Sequence, residues 1–250
     1  MKSSEEHKVA LITGGSSGIG LAIAERFAGN GMKVVIVGRN LNKLISASKK
    51  IGNNCFHEQS DLSLLENIPL LVNNVMKKFG RLDILVNNAG IHMKKPLEEV
   101  TDADFRQVIE TNQVSVFSLS REVTKIMVKQ KSGTIINISS MASRYGMPNV
   151  IGYTAAKSAV EGMTRAMAVE LSPLGIRVNC IAPGFIETEM SSRALNNDPE
   201  RKRRVLERTP ARKLGQPLDV ANAAYFLASE EAGFITGVIL PVDGGNSIGF

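Results

Sequence analysis

The sequence has little of what staples small folds, holds metals or stacks on bases. Two cysteines and three histidines stand among 250 residues, tryptophan is absent, and there are three tyrosines. Cys55 and Cys180 sit in strand-like runs, which suits buried free thiols in a reducing compartment and leaves neither a disulfide framework nor a metal cluster. The longest apolar runs are a few residues and the start, MKSSEEHK, is polar, so no membrane span or signal peptide is expected. No Pro/Ser-rich linker, charge block, repeat or low-complexity tract divides the chain, and residues 1–250 are expected to form one domain. An apolar content of 43% gives that length a sizeable core. The net charge is +6, but the basic residues are scattered and few aromatics accompany them. That argues against nucleic acid and for an anionic small molecule as partner of a soluble, cytoplasmic protein.

What the chain does have is a regular alternation of strand and helix patterns. Val9 to Thr13 is a short apolar strand that runs into Gly14-Gly15-Ser16-Ser17-Gly18-Ile19-Gly20, and a helical pattern follows from Leu21 to Phe27. Glycines allow a tight turn and close approach of backbone to phosphate, and the helix start behind them offers N–H groups and a positive dipole end. The spacing is G-x-x-x-G-x-G rather than the commoner G-x-G-x-x-G, yet the strand–turn–helix context is that of a nucleotide-binding turn. A second strand, Lys33 to Val37, ends in Gly38-Arg39-Asn40. The acidic residue that takes ribose hydroxyls in dinucleotide folds is missing there. Arg39 suits a ribose 2′-phosphate instead, so NADP(H) is the expected cofactor, with NAD(H) also admitted.

Leu41 to Ile51 is expected as a helix and Cys55 to Gln59 as the third strand. In the turn Ser60-Asp61-Leu62, Asp61 is open to two uses, accepting from an adenine amino group or capping a helix. Pro69 to Phe79 is helical, Gly80 stops it, and Leu82 to Val86 leads into Asn87-Asn88-Ala89-Gly90 at a strand's carboxyl end, where ligands bind in such sheets. Asp102 to Lys129 has one long amphipathic pattern, with Asn112 in its interior. An amide there needs a partner, structural or catalytic. Thr134 to Ile138 delivers Ser139 and Ser140 at a strand end, and a helix from Tyr153 to Leu171 puts Tyr153 and Lys157 on one face. A free tyrosine titrates at about pH 10, and an adjacent ammonium lowers that value towards a usable proton donor and acceptor. Ile176 to Ile181 is strand six, Asp198-Pro199 opens a basic helix, Pro217 to Ser229 is another helix, and Gly237 to Val242 is the last strand. The basic helix is open to two readings, a solvated face or the steering of an anionic substrate. The whole implies an α/β protein: a single-domain, Rossmann-type, doubly wound parallel sheet of about seven strands with helices on both faces.

Thr13-Gly14 with Gly18-Ile19-Gly20, Asn87-Asn88-Ala89-Gly90, Asn112, Ser140, Tyr153-x-x-x-Lys157, Pro183-Gly184 with Thr188, and Val242-Asp243-Gly244-Gly245 appear in this order. Together they resemble the short-chain dehydrogenase/reductase family over essentially the whole chain. The resemblance implies that Tyr153 is the general acid/base, that Lys157 lowers its pKa and binds the nicotinamide ribose, that Ser140 hydrogen-bonds the substrate oxygen, and that Asn112 holds a water linking Lys157 to solvent. It implies a cofactor site made by Gly14, Ser16, Ser17, Gly18, Ile19 and Gly20, by Arg39, Asp61 and Leu62, by Asn88, Ala89 and Gly90 on the adenosine side, by Tyr153 and Lys157, and by Pro183, Gly184, Ile186 and Thr188. Strand alternation turns Ser139 away from Ser140. The resemblance also implies a homotetramer and a substrate lid over 189–215.

Two substrate classes remain. The stretch Pro183 to Met190 is similar to 3-oxoacyl-[acyl-carrier-protein] reductases, but where those tend to place arginines for the acidic carrier this chain has Lys131 and Leu174. His92, Lys94 and Lys95 follow the Asn-Asn-Ala-Gly motif and suit a carboxylate, which favours a sugar acid or polyol, as in gluconate 5-dehydrogenase-like members. A non-catalytic NADP-binding regulatory protein is the remaining alternative, and the intact Tyr153 and Lys157 speak against it.

Overall fold

Strand β1 (Val9–Thr13) is buried along its whole length because it lies inside a sheet covered on both faces. Ala10 and Ile12 belong to one core and Val9 and Leu11 to the other, so the two-residue period of the strand feeds two helical layers. The computed structural model describes residues 8–188 and 198–249. Six more strands join β1: β2 (Lys33–Gly38), β3 (Cys55–Gln59), β4 (Ile84–Asn87), β5 (Gly133–Ile138), β6 (Ile176–Pro183) and β7 (Ile239–Val242). All pairs are parallel, in the order β3-β2-β1-β4-β5-β6-β7.

Helices α1 (Gly18–Gly29) and α2 (Leu41–Ile51) pack on one face of the sheet through Ile23, Phe27 and Leu44. They share that face with Val220 and Leu227 of α8 (Pro217–Ala228). The opposite face is covered by α3 (Asn67–Phe79), α5 (Ser115–Gln130) and α6 (Ile151–Leu171), through Ile68, Leu119, Val123, Ala168 and Leu171. Each fully buried side chain of this kind contributes roughly 1.5–3 kcal/mol. The expected doubly wound sheet of seven strands is therefore present. Its order reverses between β1 and β4, and the carboxyl ends of the strands on either side of that reversal frame a crevice.

Three boundaries bear on the crevice. Helix α1 starts at Gly18, inside the glycine turn, rather than at Leu21, so its first N–H groups fall in the turn itself. Strand β6 continues to Pro183, paired with Val242, which fixes Pro183 and the following Gly184 at the sheet's end. The long helix expected over Asp102 to Lys129 is broken. An α-helical segment, α4 (Asp102–Ile109), gives way to a π-turn over Glu110–Val114 before α5 begins. Asn112 is fully buried there and spends its amide on a distant main chain, accepting from Ile91 N at 2.7 Å and donating to Ile91 O at 2.8 Å. Widening the helix by one residue is how such an interior polar side chain is aimed. No described helix is long and apolar enough to cross a membrane.

Candidate active site

A cavity of about 810 Å³ opens at the carboxyl ends of β1, β4, β5 and β6. Gly14, Ser17, Gly18 and Ile19 line it together with Asn88, Ala89 and Gly90 and with Pro183, Gly184, Ile186 and Thr188. Gly18 has φ +54°, so the turn favours glycine there, and a Cβ would meet Thr188 Cγ2 only at contact distance, 3.4 Å. The first turn of α1 has no acidic residue to oppose an anion. Thr13 and Asn88 brace this turn: Thr13 Oγ1 accepts from Asn88 N and Ala89 N at 2.9 Å each, and Asn88 Nδ2 donates to Thr13 O at 2.9 Å. The Asn88 side chain thus shapes the phosphate turn. Ser16 and Gly20 lie off the cavity wall, Gly20 packing against Gly14 O where helix and turn cross.

Ser140, Tyr153 and Lys157 meet on the far wall. Strand β5 ends one residue before Ser139, and the two serines part as alternation requires: Ser139 donates to Glu161, while Ser140 is hydrogen-bonded to Tyr153 and also accepts from Ala142 N at 3.2 Å. Lys157 Nζ stands 5.7 Å from the centre of the Tyr153 ring, one helical turn along α6, and donates to Ile138 O at 2.7 Å. Their titration differs from the sequence expectation. Burial pushes the Tyr153 phenol up, and the hydrogen bond with Ser140 pulls it back. Burial brings Lys157 down from its ordinary 10.5 to about 8. A lysine only 3% exposed is costly to keep charged, and this desolvation outweighs the pairing that helical spacing suggests. Asn112 lies outside the cavity wall. The space a Cβ on Gly90 would fill is 3.1 Å from Asn112 Oδ1 and 3.8 Å from Lys157 Nζ, so Gly90 alone separates the two.

Arg39 and Asp61 lie in a neighbouring cleft of about 400 Å³ at the ends of β2 and β3. Asp61 Oδ1 accepts from Ser63 N at 3.0 Å and Ser63 Oγ at 2.7 Å, so it caps the local turn while its carboxylate still lines the cleft. These bonds and the nearby Arg39 hold its carboxyl low against the burial that opposes them. Ser60 in the same wall has a buried hydroxyl without a protein partner, a polar atom suited to a nucleoside. Glu58 shares the cleft and is an acidic neighbour of Arg39 that reading along β2 alone did not show. Leu62 turns into the core beneath α3 and lines neither cavity.

The rim of the main cavity is basic. His92 stands 4.8 Å, ring centre to ring centre, from Tyr153, and Lys94 and Arg201 complete that side, Arg201 coming from α7 (Pro199–Arg208). Burial and then the charges of Arg201 and Lys94 depress the His92 pKa. Lys95 is removed from the candidates, because it pairs with Asp104 at 2.7 Å and fastens the loop to α4. Lys43, Met147 and Phe185 also line the cavity and were not singled out in the sequence. Lys43 carried a usable signal, a cation one helical turn past Arg39. The part of the lid over 189–197 lies outside the described residues. The C-terminal turn packs on its own chain: Asn246 is fully buried, donates to Thr209 Oγ1 at 2.8 Å and accepts from Tyr145.

Known proteins with the same arrangement are numerous. Residues 14–247 match the family described as enoyl-(acyl carrier protein) reductase. The chain is 41% identical over 240 residues to the 3-oxoacyl-[acyl-carrier-protein] reductase FabG of Escherichia coli (strain K12), covering 96% of this chain and 97% of that one. A crystal structure of a putative gluconate dehydrogenase from Agrobacterium tumefaciens superposes with a TM-score of 0.93 at 35% identity, covering 97% of both chains. One of a short chain dehydrogenase from Bacillus anthracis gives 0.89 at 36%, covering 98% of both. On sequence, sheet order and site alike, the chain belongs to the short-chain dehydrogenase/reductase family, oxidoreductases that act on CH–OH groups.

Proposed function

We propose that this oxidoreductase interconverts a secondary alcohol and a ketone with NADP(H), on a small anionic substrate of the sugar-acid or polyol class. The observation that carries the substrate class is the basic rim of His92, Lys94 and Arg201 beside Tyr153. Two walls suit the cofactor: the turn from Gly14 to Ile19 with α1 behind it for the pyrophosphate, and the cleft with Arg39 for the 2′-phosphate end, with Lys43 contributing positive charge between them. When bound, the nicotinamide supplies or accepts the hydride. Ser140 donates to the substrate oxygen and holds it beside the phenol. In reduction Tyr153 passes its proton to that oxygen, and in oxidation the phenolate takes it back. Lys157, charged below about pH 8, favours the phenolate one turn away and faces the cofactor's ribose side. Asn112 fixes the Ile91 backbone that forms the floor next to Lys157, and a water path would run past Gly90. Thr188 closes the cofactor's other side. The substrate carboxylate pairs with Arg201 and Lys94.

A second reading, 3-oxoacyl-[acyl-carrier-protein] reduction, is supported by the 41% identity to the Escherichia coli reductase. Leu174, 42% exposed where that class tends to place a carrier-binding arginine, stands against it. Assaying the purified protein with NADPH and NADP, and with NADH and NAD, against acetoacetyl thioesters, gluconate, 5-ketogluconate and hexuronates separates them. Turnover of a sugar acid with preference for the phosphorylated cofactor is expected. Turnover of the thioester alone overturns the substrate class, and equal use of both cofactors overturns the assignment of Arg39.

A further inference from the structure

Helix α6 carries Tyr153 and Lys157, and one turn further along the same face it carries Glu161, a partly buried carboxylate that the proton relay does not use. Its Oε1 accepts from Ser139 Oγ at 2.9 Å and from Ser143 Oγ. The single proton of Ser143 is shared with a second acceptor, Ser140 O, at 2.6 Å. Those two serines bracket the 3₁₀ turn Met141–Ser143 that begins at Ser140. One carboxylate oxygen therefore ties both ends of the turn to the helix that bears the tyrosine. Ser139 is anchored on its other side by the sheet, its N–H donating to Ile181 O at 2.8 Å. Within the turn, Ser143 N donates to Ser140 O at 3.0 Å and Arg144 N to Met141 O at 2.9 Å. Ala142 N also donates to Ser140 Oγ at 3.2 Å and the Tyr145 hydroxyl to Met141 Sδ at 3.0 Å, and Ser140, Met141 and Ala142 line the cavity.

We infer that Glu161 is a positioning residue: by clasping Ser139 and Ser143 it keeps the Ser140 hydroxyl in register with the Tyr153 phenol. The inference rests on the roles given above to Ser140 and Tyr153, but part of its test does not. Removing the clasp should let the turn breathe while the sheet stays intact, and a glutamine, whose carbonyl oxygen can accept from both serines, should restore it.

Hydrogen exchange followed in the wild type, Glu161→Ala and Glu161→Gln reads this without any substrate. Amides of Ser143 and Arg144 should exchange faster in the alanine variant, by roughly tenfold or more, and stay near wild type in the glutamine variant, with strands β5 and β6 unchanged in both. Unchanged exchange at Ser143 and Arg144 in Glu161→Ala overturns the inference, as does loss spread across the sheet. On whichever compound the enzyme turns over, Glu161→Ala should lower kcat about tenfold to a hundredfold with cofactor affinity within about twofold, and should cost little in a Ser140→Ala background. Additive losses in the double variant would show that Glu161 acts elsewhere. If Glu161→Ala folds poorly, Ser143→Ala removes one tie while keeping the carboxylate, and the same two readouts apply with the same meaning.

Discussion

At the scale of single residues, the site is a set of polar groups held at a cost. Lys157 is buried with its pKa at about 8 against 10.5 in the unfolded chain. Because the folded value is the lower one, the folded state disfavours the proton, so the penalty is fully present below about pH 8 and fades as pH rises towards 10.5. The gap amounts to about 3 kcal/mol, partly offset by about 1–2 kcal/mol from the hydrogen bond to Ile138 O. Lys157→Met should therefore abolish turnover yet raise stability at pH 7 by on the order of 1 kcal/mol. Chemical denaturation of the two proteins at pH 7 checks this, and a clear loss of stability in the variant would show that the ammonium is well paired. The sequence supplied the identity and spacing of Tyr153 and Lys157, which depend only on helical period. It could not supply their titration, because burial depends on how β5, β6 and the loop after Gly90 close over α6.

At the scale of elements, the departures from a regular pattern gather around the cavity. The π-turn between α4 and α5 has its cause in Asn112, whose amide satisfies both polar groups of Ile91. Replacing it with alanine leaves a buried N–H and C=O without partners. Asn112→Ala should lose roughly 2–4 kcal/mol of stability, read as a lower denaturation midpoint with the slope unchanged. A loss below about 0.5 kcal/mol would mean that water replaces the amide freely. Periodicity predicted one helix there because the apolar residues on either side, Val108 and Val116, stay in phase across the insertion. The stretch after α7 is organised by the C-terminal turn. Asn246 links Tyr145 of the substrate turn to Thr209 beyond α7, and the Arg208 guanidinium lies 4.1 Å over the Tyr145 ring. The sequence shows nothing of this grouping, since the four residues come together only through long-range packing.

At the scale of the molecule, strand and helix alternation made the doubly wound sheet legible, and the ordered motifs picked out the glycine turn, Ser140, Tyr153 and Lys157 that line one cavity. What the sequence left open is what depends on contact between distant segments. Lys94 and Lys95 are adjacent and alike in sequence, yet one faces the cavity and the other is bound to Asp104. Arg201 is one of several arginines in a basic helix, and only the packing of α7 brings it to the rim. The surface also carries exposed apolar side chains on α4, α5 and α6, among them Phe105, Phe117 and Ile151, and others near the C-terminus, Phe234 and Ile248. Exposed apolar side chains of this kind would be covered in the homotetramer that the family resemblance implies. Light scattering should give about four times the 27.0 kDa chain mass. A monomer at micromolar concentration would contradict it.

In the proposed mechanism Tyr153 moves the proton while other groups bind the cofactor and substrate. The most direct measurement is single-turnover hydride transfer from NADPH to an active ketone, wild type against Tyr153→Phe, with NADPH affinity titrated in both. The rate should fall about a thousandfold or more in the variant, with cofactor affinity changed by less than about threefold. A variant that keeps most of its rate, or that loses rate only because NADPH no longer binds, would contradict it.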